Sequence, residues 1–290
     1  MIGFQFCMSR KATIIFLITL ALCTVSYVIF IQKPQLPQYL RTLLHLGPSP
    51  FSNIAARPKE EIKLNVPILM YHYVENVTDE RDTLRQSMAT RPAFFETQLA
   101  HLKNAGYTAI SLSDLRAALS GTGRIPEKSV ILTFDDGYRD FYTDAYPILK
   151  KYGMKSINYI IVNHIGRSGN LTEDMIREMN SSGLVEIGCH TLNHDYLPKD
   201  APPRARKEIV DCKSQLESRF GVKVESFAYP GGYYNSDVVK LVAEAGFKTA
   251  VNTVPGVIHS MDDIFTLKRI RTGNLDAAVF AKHILGPKAE

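Results

Sequence analysis

Val130-Ile131-Leu132-Thr133-Phe134-Asp135-Asp136-Gly137 decides how the chain is read. Its first five residues are apolar or β-branched, the composition of a short buried strand. Two adjacent carboxylates and a glycine follow, which reads as a strand stopping in a tight turn. In α/β folds, sites are built where parallel strands end. Adjacent side chains on a strand point to opposite faces, but where the backbone bends past its end both carboxylates can face one mouth. One can then hold a cation while the other stays free as a base. A plain surface Asp-Asp-Gly turn is the competing reading, and the pattern around the motif decides between them.

Working outward, the chain alternates strand and helix from Val66 on. Strands are expected at 66–72, 108–112, 130–134, 157–162, 184–189, 226–229, 247–251 and 265–270. Helices are expected at 92–105, 114–119, 140–152, 172–179, 203–220, 236–245 and 277–284. Phe95, Leu99 and Leu102 form one apolar stripe on the first of these. Thr172 is placed to cap its helix, and Gly153, Gly221 and Gly246 to stop theirs. Strands alternating regularly with helices imply a mostly parallel sheet, and this many units in one domain favour a distorted (β/α) barrel of about seven units. No internal repeat is visible.

Three further stretches fall just past expected strands. His190-Thr191-Leu192-Asn193-His194 places two histidines at i and i+4, which can meet one cation if the turn is helical. With Asp136 they make a mixed oxygen and nitrogen set that suits Zn²⁺ or a related divalent ion and leaves positions open for water. His72 ends the strand that begins at Val66 and suits a general acid. Tyr229-Pro230-Gly231-Gly232 can aim a backbone N–H at an oxyanion, with glycine allowing close approach. Surface histidines, a satisfied core histidine and an ordinary turn are the bland alternatives. In a barrel, however, all such strand ends open on one face.

These residues resemble the polysaccharide deacetylases, the NodB-homology family also called carbohydrate esterase family 4. Thr133-Phe134-Asp135-Asp136-Gly137 is similar to the family's first motif, and His190-Thr191-Leu192-Asn193-His194 to its second. The opening Pro67-Ile68-Leu69-Met70-Tyr71-His72 resembles the circularly permuted branch that deacetylates poly-N-acetylglucosamine. The resemblance spans residues 66–272. It implies that Asp136, His190 and His194 bind a divalent metal, with Zn expected and Co, Ni or Mn as alternatives. It also implies that Asp135 is the general base and His72 the general acid, with Gly231 and Tyr229 at the oxyanion and substrate side. The reaction implied is hydrolytic N-deacetylation of an envelope or extracellular polysaccharide, releasing acetate. The third motif departs from the family pattern, because Ala228-Tyr229-Pro230-Gly231-Gly232 lacks the arginine that normally orients the base. Arg269 or Arg271 is the candidate replacement, with Arg271 also a candidate substrate contact. Tyr138, Tyr233 and Tyr234 are candidates for stacking on sugar rings. A non-catalytic glycan-binding module on the same fold is the rival reading. Deacetylation of peptidoglycan or another amide is a third.

The chain has 290 residues, 45% of them hydrophobic, and a net charge of +5 without a run of five like charges. That is enough chain to bury a full core, and nothing in it points to nucleic acid. Arg10-Lys11 precede residues 12–31, which carry no charge. A helix of that span reaches about 30 Å, the thickness of a bilayer's hydrocarbon. The expected organisation is therefore a cytoplasmic 1–11, a transmembrane signal anchor at 12–31, a Pro-rich linker at 32–64, and a deacetylase domain at 65–290 outside the cytoplasm. A cleaved signal peptide is the alternative, although Ala21-Leu22-Cys23 fits a cleavage site poorly. Of four cysteines, only Cys189 and Cys212 fall in the exported part. A bridge between them is conceivable after export, with a small buried thiol the favoured reading of Cys189. The sequence names no protein partner.

Overall fold

The structure, a computed structural model, describes residues 61–285. In chain order its strands are β1 (Leu64–Asn65), β2 (Ile68–Tyr71), β3 (Thr108–Ala109), β4 (Ser129–Phe134), β5 (Ser156–Ile160), β6 (Val185–Cys189), β7 (Ser226–Ala228), β8 (Thr249–Val251), β9 (Ile258–His259) and β10 (Ile270–Arg271). The α-helices are α1 (Thr83–Met88), α2 (Pro92–Asn104), α3 (Leu112–Leu119), α4 (Tyr146–Tyr152), α5 (Glu173–Ser181), α6 (Pro202–Phe220), α7 (Ser236–Glu244) and α8 (Ala277–Leu285). A π-helical turn, Phe141–Ala145, leads into α4.

The main sheet runs β10-β2-β4-β5-β6-β7-β8, with β3 added beside β4. Every pairing in it is parallel. The sheet curls, and one segment touches both of its edges. Leu267 bridges Val251 of β8, and three residues later Ile270 pairs with Leu69 of β2. The expected distorted barrel is thus a curled seven-strand path closed by residues 267–271. The expected strand at 265–270 is confined to that bridge and β10, because each of its pairings serves a different edge.

Side chains alternate between two cores, as strand geometry requires. Leu69, Tyr71, Val130, Leu132 and Phe134 face the helices and pack with Phe95, Leu99 and Leu102 of α2. Ile68, Ile131, Ile157 and Tyr159 face inward with Ala228, Val251 and Leu267, and Leu112, Leu115 and Leu119 of α3 join that second cluster. A Cβ on Gly188 would meet the Tyr159 ring at 2.3 Å, so a glycine in β6 makes room for the tyrosine. The hydroxyls of Tyr159 and Ser226 then meet at 2.5 Å inside the barrel.

Local signals account for most helix ends. Ser111 and Asp114 form a reciprocal capping box at α3, which starts that helix two residues before the expected 114. Thr172 caps α5 by accepting from Met175 N–H, and Gly153 and Gly221 close α4 and α6 in the left-handed conformation. Helix α1 and the antiparallel pair of β1 with β9 carry no periodic apolar signal. Indeed α1 buries no residue. The thiol reading of Cys189 is corrected, since Cys189 and Cys212 form a disulfide, Sγ to Sγ 2.01 Å. No helix among the described residues is long and apolar enough to cross a membrane. The proposed anchor at 12–31 and all but the last few residues of the linker lie outside the described residues.

Candidate active site

The strand ends do converge. β4 delivers Asp135 and Asp136, β2 delivers His72, and β6 delivers His190. Asp136 turns with φ 75, which releases its carboxylate from the strand's alternation. His190 Nε2 lies 3.3 Å and His194 Nε2 3.5 Å from Asp136 Oδ1. One ligand atom from each of the three residues falls within 4.8 Å of the others.

His190 and His194 meet without a helical turn. Thr191 and His194 both have φ 66, and the segment is a loop. Two left-handed residues bend it so that both rings face Asp136, with centroids 4.9 Å apart. Thr191 Oγ1 accepts from His194 N–H at 2.9 Å and holds the bend. His190 Nδ1–H donates to the Ala228 carbonyl at 2.8 Å. That bond sets the tautomer and leaves the Nε2 lone pair toward Asp136.

The donor set fits a divalent cation. Asp136 Oδ1 is buried with no hydrogen-bond donor aligned on it, and a buried oxygen in that state needs a partner. Burial works to raise the Asp136 carboxyl. The His190 imidazole close beside it, with the charges of His72 and His194, outweighs burial and holds the carboxyl below its usual range. A carboxylate and two imidazoles make a borderline-hard N/O set of the kind zinc and its neighbours accept.

Asp135 is oriented by Arg269. Its two oxygens accept from Arg269 Nη1 and Nη2 at 2.8 and 2.7 Å. The guanidinium also donates to Thr133 Oγ1 at 3.1 Å and to the Asn252 carbonyl at 2.7 Å. Arg269 is 0% and Asp135 3% exposed. Burial alone would raise the Asp135 carboxyl, but the Arg269 charge and hydrogen bonds bring it below its ordinary value. Arg269, not Arg271, therefore holds the Asp135 carboxylate. Arg271 is exposed at the mouth, where its charge acts on His72. Arg269 sits one layer below the strand ends and reaches up through the barrel.

His72 Nε2 stands 3.9 Å from Asp135 Oδ2. Burial pushes the His72 imidazole below its ordinary pKa, and the Asp135 and Asp136 charges offset this only in part. Asp140, which the motif reading passed over, accepts from Val74 N–H at 2.5 Å and ties the loop after His72 to the turn after Asp136. Burial pushes its carboxyl up to about 6.

In the Pro230 turn, Gly231 has φ 61, and a Cβ there would meet the Tyr233 ring at 2.8 Å. Tyr229 N–H is committed to Val251 O and Gly232 N–H to Tyr229 O. The Gly231 amide is thus the turn's candidate donor. Tyr229 itself is buried, and its hydroxyl donates to Phe265 O at 2.9 Å. Its side chain is packed into the core. Tyr138 stacks on Tyr73 at 3.8 Å. Tyr233 meets Tyr196 edge-on at 4.8 Å and remains 56% exposed, whereas Tyr234 leans on Tyr229.

Comparison with known proteins agrees with this geometry. A family model described as polysaccharide deacetylase matches residues 122–250, a span that includes Asp135, Asp136, His190 and His194 but neither His72 nor Arg269. YxkH of Bacillus subtilis (strain 168), named provisionally as a polysaccharide deacetylase, is 32% identical over 227 residues, 78% of this chain and 78% of its own length. The poly-β-1,6-N-acetyl-D-glucosamine N-deacetylase of Staphylococcus aureus (strain MSSA476) is 30% identical over 167 residues, 53% of this chain and 57% of that protein. Among solved structures, the Streptococcus pyogenes deacetylase PplD in complex with acetate is 33% identical, with a TM-score of 0.71 over 77% of this chain and 99% of that one.

Proposed function

We propose, from the premise that this chain belongs to the polysaccharide deacetylase family, that it removes N-acetyl groups from a poly-N-acetylglucosamine-like polysaccharide with the help of a divalent metal. The observation that carries this reading is the meeting of Asp136, His190 and His194 next to a carboxylate that Arg269 holds ionised. The family hydrolyses amide bonds of N-acetylated sugars. The polymer is narrowed by the similarity to the Staphylococcus aureus enzyme, whose name specifies a β-1,6 linkage.

Asp136, His190 and His194 would hold the metal, Zn being the first candidate for this donor set. When bound, it supplies Lewis-acid polarisation and lowers the pKa of water toward ~7. Asp135 accepts the proton of the attacking water. Its two bonds to Arg269 fix its direction and keep it a carboxylate at neutral pH. Gly231 N–H donates to the acetyl oxygen as that oxygen gains negative charge. His72 donates a proton to the departing nitrogen. The amide C–N bond breaks, a C–O bond forms, and acetate and a free amine result. Exposed Tyr233, with Arg271 at the mouth, lies where a sugar chain would pass.

The anchor at 12–31 would place this activity at a membrane surface outside the cytoplasm. Its charge-free length behind Arg10-Lys11 supports this, as does the Cys189–Cys212 disulfide, a bond that persists in oxidising compartments.

The test is acetate release from β-1,6-linked N-acetylglucosamine oligomers by the purified chain, with and without chelator. Turnover should stop with chelator, return with Zn²⁺ or Co²⁺, and be absent in Asp135→Asn. Acetate release that survives both chelation and Asp135→Asn refutes the mechanism. Oligosaccharide binding without turnover by the metal-loaded chain would favour a glycan-binding role instead.

A further inference from the structure

The loop that carries both ligand histidines has an unusual support. Thr191 and His194 adopt left-handed backbone, which residues with a Cβ enter only when neighbouring contacts hold them there. Between them, Leu192 and Asn193 turn their backbone N–H groups inward. Both donate to Glu208 Oε2, at 2.9 Å each. The Asn193 side chain adds a third bond, Nδ2 to Glu208 Oε1 at 2.6 Å. Its amide is oriented for this by Asn163, whose Nδ2 donates to Asn193 Oδ1 at 2.8 Å. Glu208 is only 4% exposed and has no cationic partner among the ion pairs of the described residues. A buried carboxylate is costly unless it is well bonded. Here all three bonds come from the histidine loop.

Glu208 lies on the face of α6 that is otherwise apolar, with Ala205, Ile209, Cys212 and Leu216. A carboxylate in that row has no packing reason to be there. One turn further along the helix, Cys212 is bonded to Cys189, the residue that precedes His190. The helix therefore holds the loop at both sides of the first ligand: covalently at 189 and through charge-assisted hydrogen bonds at 192–193.

We infer that Glu208 is a positioning residue for the metal set: its carboxylate imposes the bend that brings His194 onto the cation shared by Asp136 and His190. This rests on the metal reading proposed above. Glu208 does not touch the cation. It acts through the backbone of Leu192 and Asn193, and groups acting in this way typically govern affinity by roughly 10–100-fold when removed.

The experiment measures binding of Zn²⁺ and Co²⁺ alone to the full chain, in parallel with the melting temperature of the metal-free form and the visible absorption of the Co²⁺-loaded form. Glu208→Ala should weaken both metals by roughly 10–100-fold and alter the Co²⁺ spectrum, since His194 is no longer held in place. The disulfide keeps α6 tethered to the sheet end in this variant. Glu208→Gln retains volume and one acceptor but faces an N–H group with its own amide, so its affinity should fall between the two. If Glu208→Ala does not fold, Glu208→Gln carries the test. Reduced affinity with a changed spectrum supports the inference, while unchanged affinity and spectrum overturn it even if the metal-free melting temperature drops. Failure of the unaltered chain to bind either metal overturns the proposed function and this inference together, whereas tight binding by the parent and both variants overturns this inference alone.

Discussion

Arg269→Met isolates the interaction that keeps the base ready. It removes a buried guanidinium that makes two bonds to Asp135, one to Thr133 and one to Asn252. Methionine fills most of the volume but offers no donor. Asp135, at 3% exposure, is left without its counter-ion. Breaking a buried pair from one side costs about 3–5 kcal/mol, and the unmade bond at the Asn252 carbonyl places the expectation near 4 kcal/mol. For a domain of this size that is a fall of roughly 8–16 °C in melting temperature. The pH dependence has a definite sign. In the parent, Asp135 titrates below its ordinary 3.8. A depressed carboxyl contributes stability above its unfolded pKa and loses it as pH falls through the folded one. In the variant only the His190 and His72 charges oppose burial, so the carboxyl rises, and the penalty appears at high pH and fades as the group protonates. The gap between parent and variant should therefore be widest near neutral pH and narrow toward pH ~4. Adding Asp135→Asn should restore part of the loss, with a coupling of about 2–3 kcal/mol. Urea unfolding of the four proteins at pH ~7 and ~4.5 decides the matter. A gap independent of pH, or single losses that simply add, would refute the assignment of Arg269 as the partner of Asp135.

Asp136→Ala and His190→Ala should each abolish metal-dependent stabilisation: zinc at about 100 times its dissociation constant adds about 2.7 kcal/mol to the parent and nothing to these variants, as thermal melts will show. His72→Ala should lower kcat by about 10²–10⁴ and remove the descending limb of the pH profile. Because burial holds His72 below 6.5, that limb of kcat/KM in the parent should have its midpoint under 6.5, and a midpoint well above it excludes His72 as the acid. Replacing Cys189 and Cys212 together by serine opens a loop with a sequence separation of 23 and should cost about 3 kcal/mol, measured by denaturation with and without reductant.

The alternation of strands with helices and the face they share can be read in the sequence, because most strands of the main sheet are short apolar runs and several helices begin or end on a capping residue. The residues that tune the site were less visible. Arg269 and Arg271 are equally good candidates in the sequence, and nothing local separates them. A long side chain reaching up from the layer below escapes a rule about strand ends. Glu208 is legible only as a single carboxylate on the apolar row of Ala205, Ile209, Cys212 and Leu216, the pattern of a buried charge that needs partners. An i, i+4 spacing joins His190 and His194 through a helical turn; the loop joins them through positive φ at Thr191 and His194 instead, and nothing in Thr191 as a residue type foretells it. The contact of Val74 with Asp140 joins residues 66 positions apart, and no local signal encodes it.

The segment that bridges the two sheet edges also carries Arg269, so shutting the barrel and arming the base are one event. His72 follows the first strand of the main sheet, and the arginine arrives 134 residues after the carboxylate it serves. In chain order the histidines and carboxylates of the site all come before that arginine. Until residue 269 docks, Asp135 lacks the two guanidinium bonds that fix its direction.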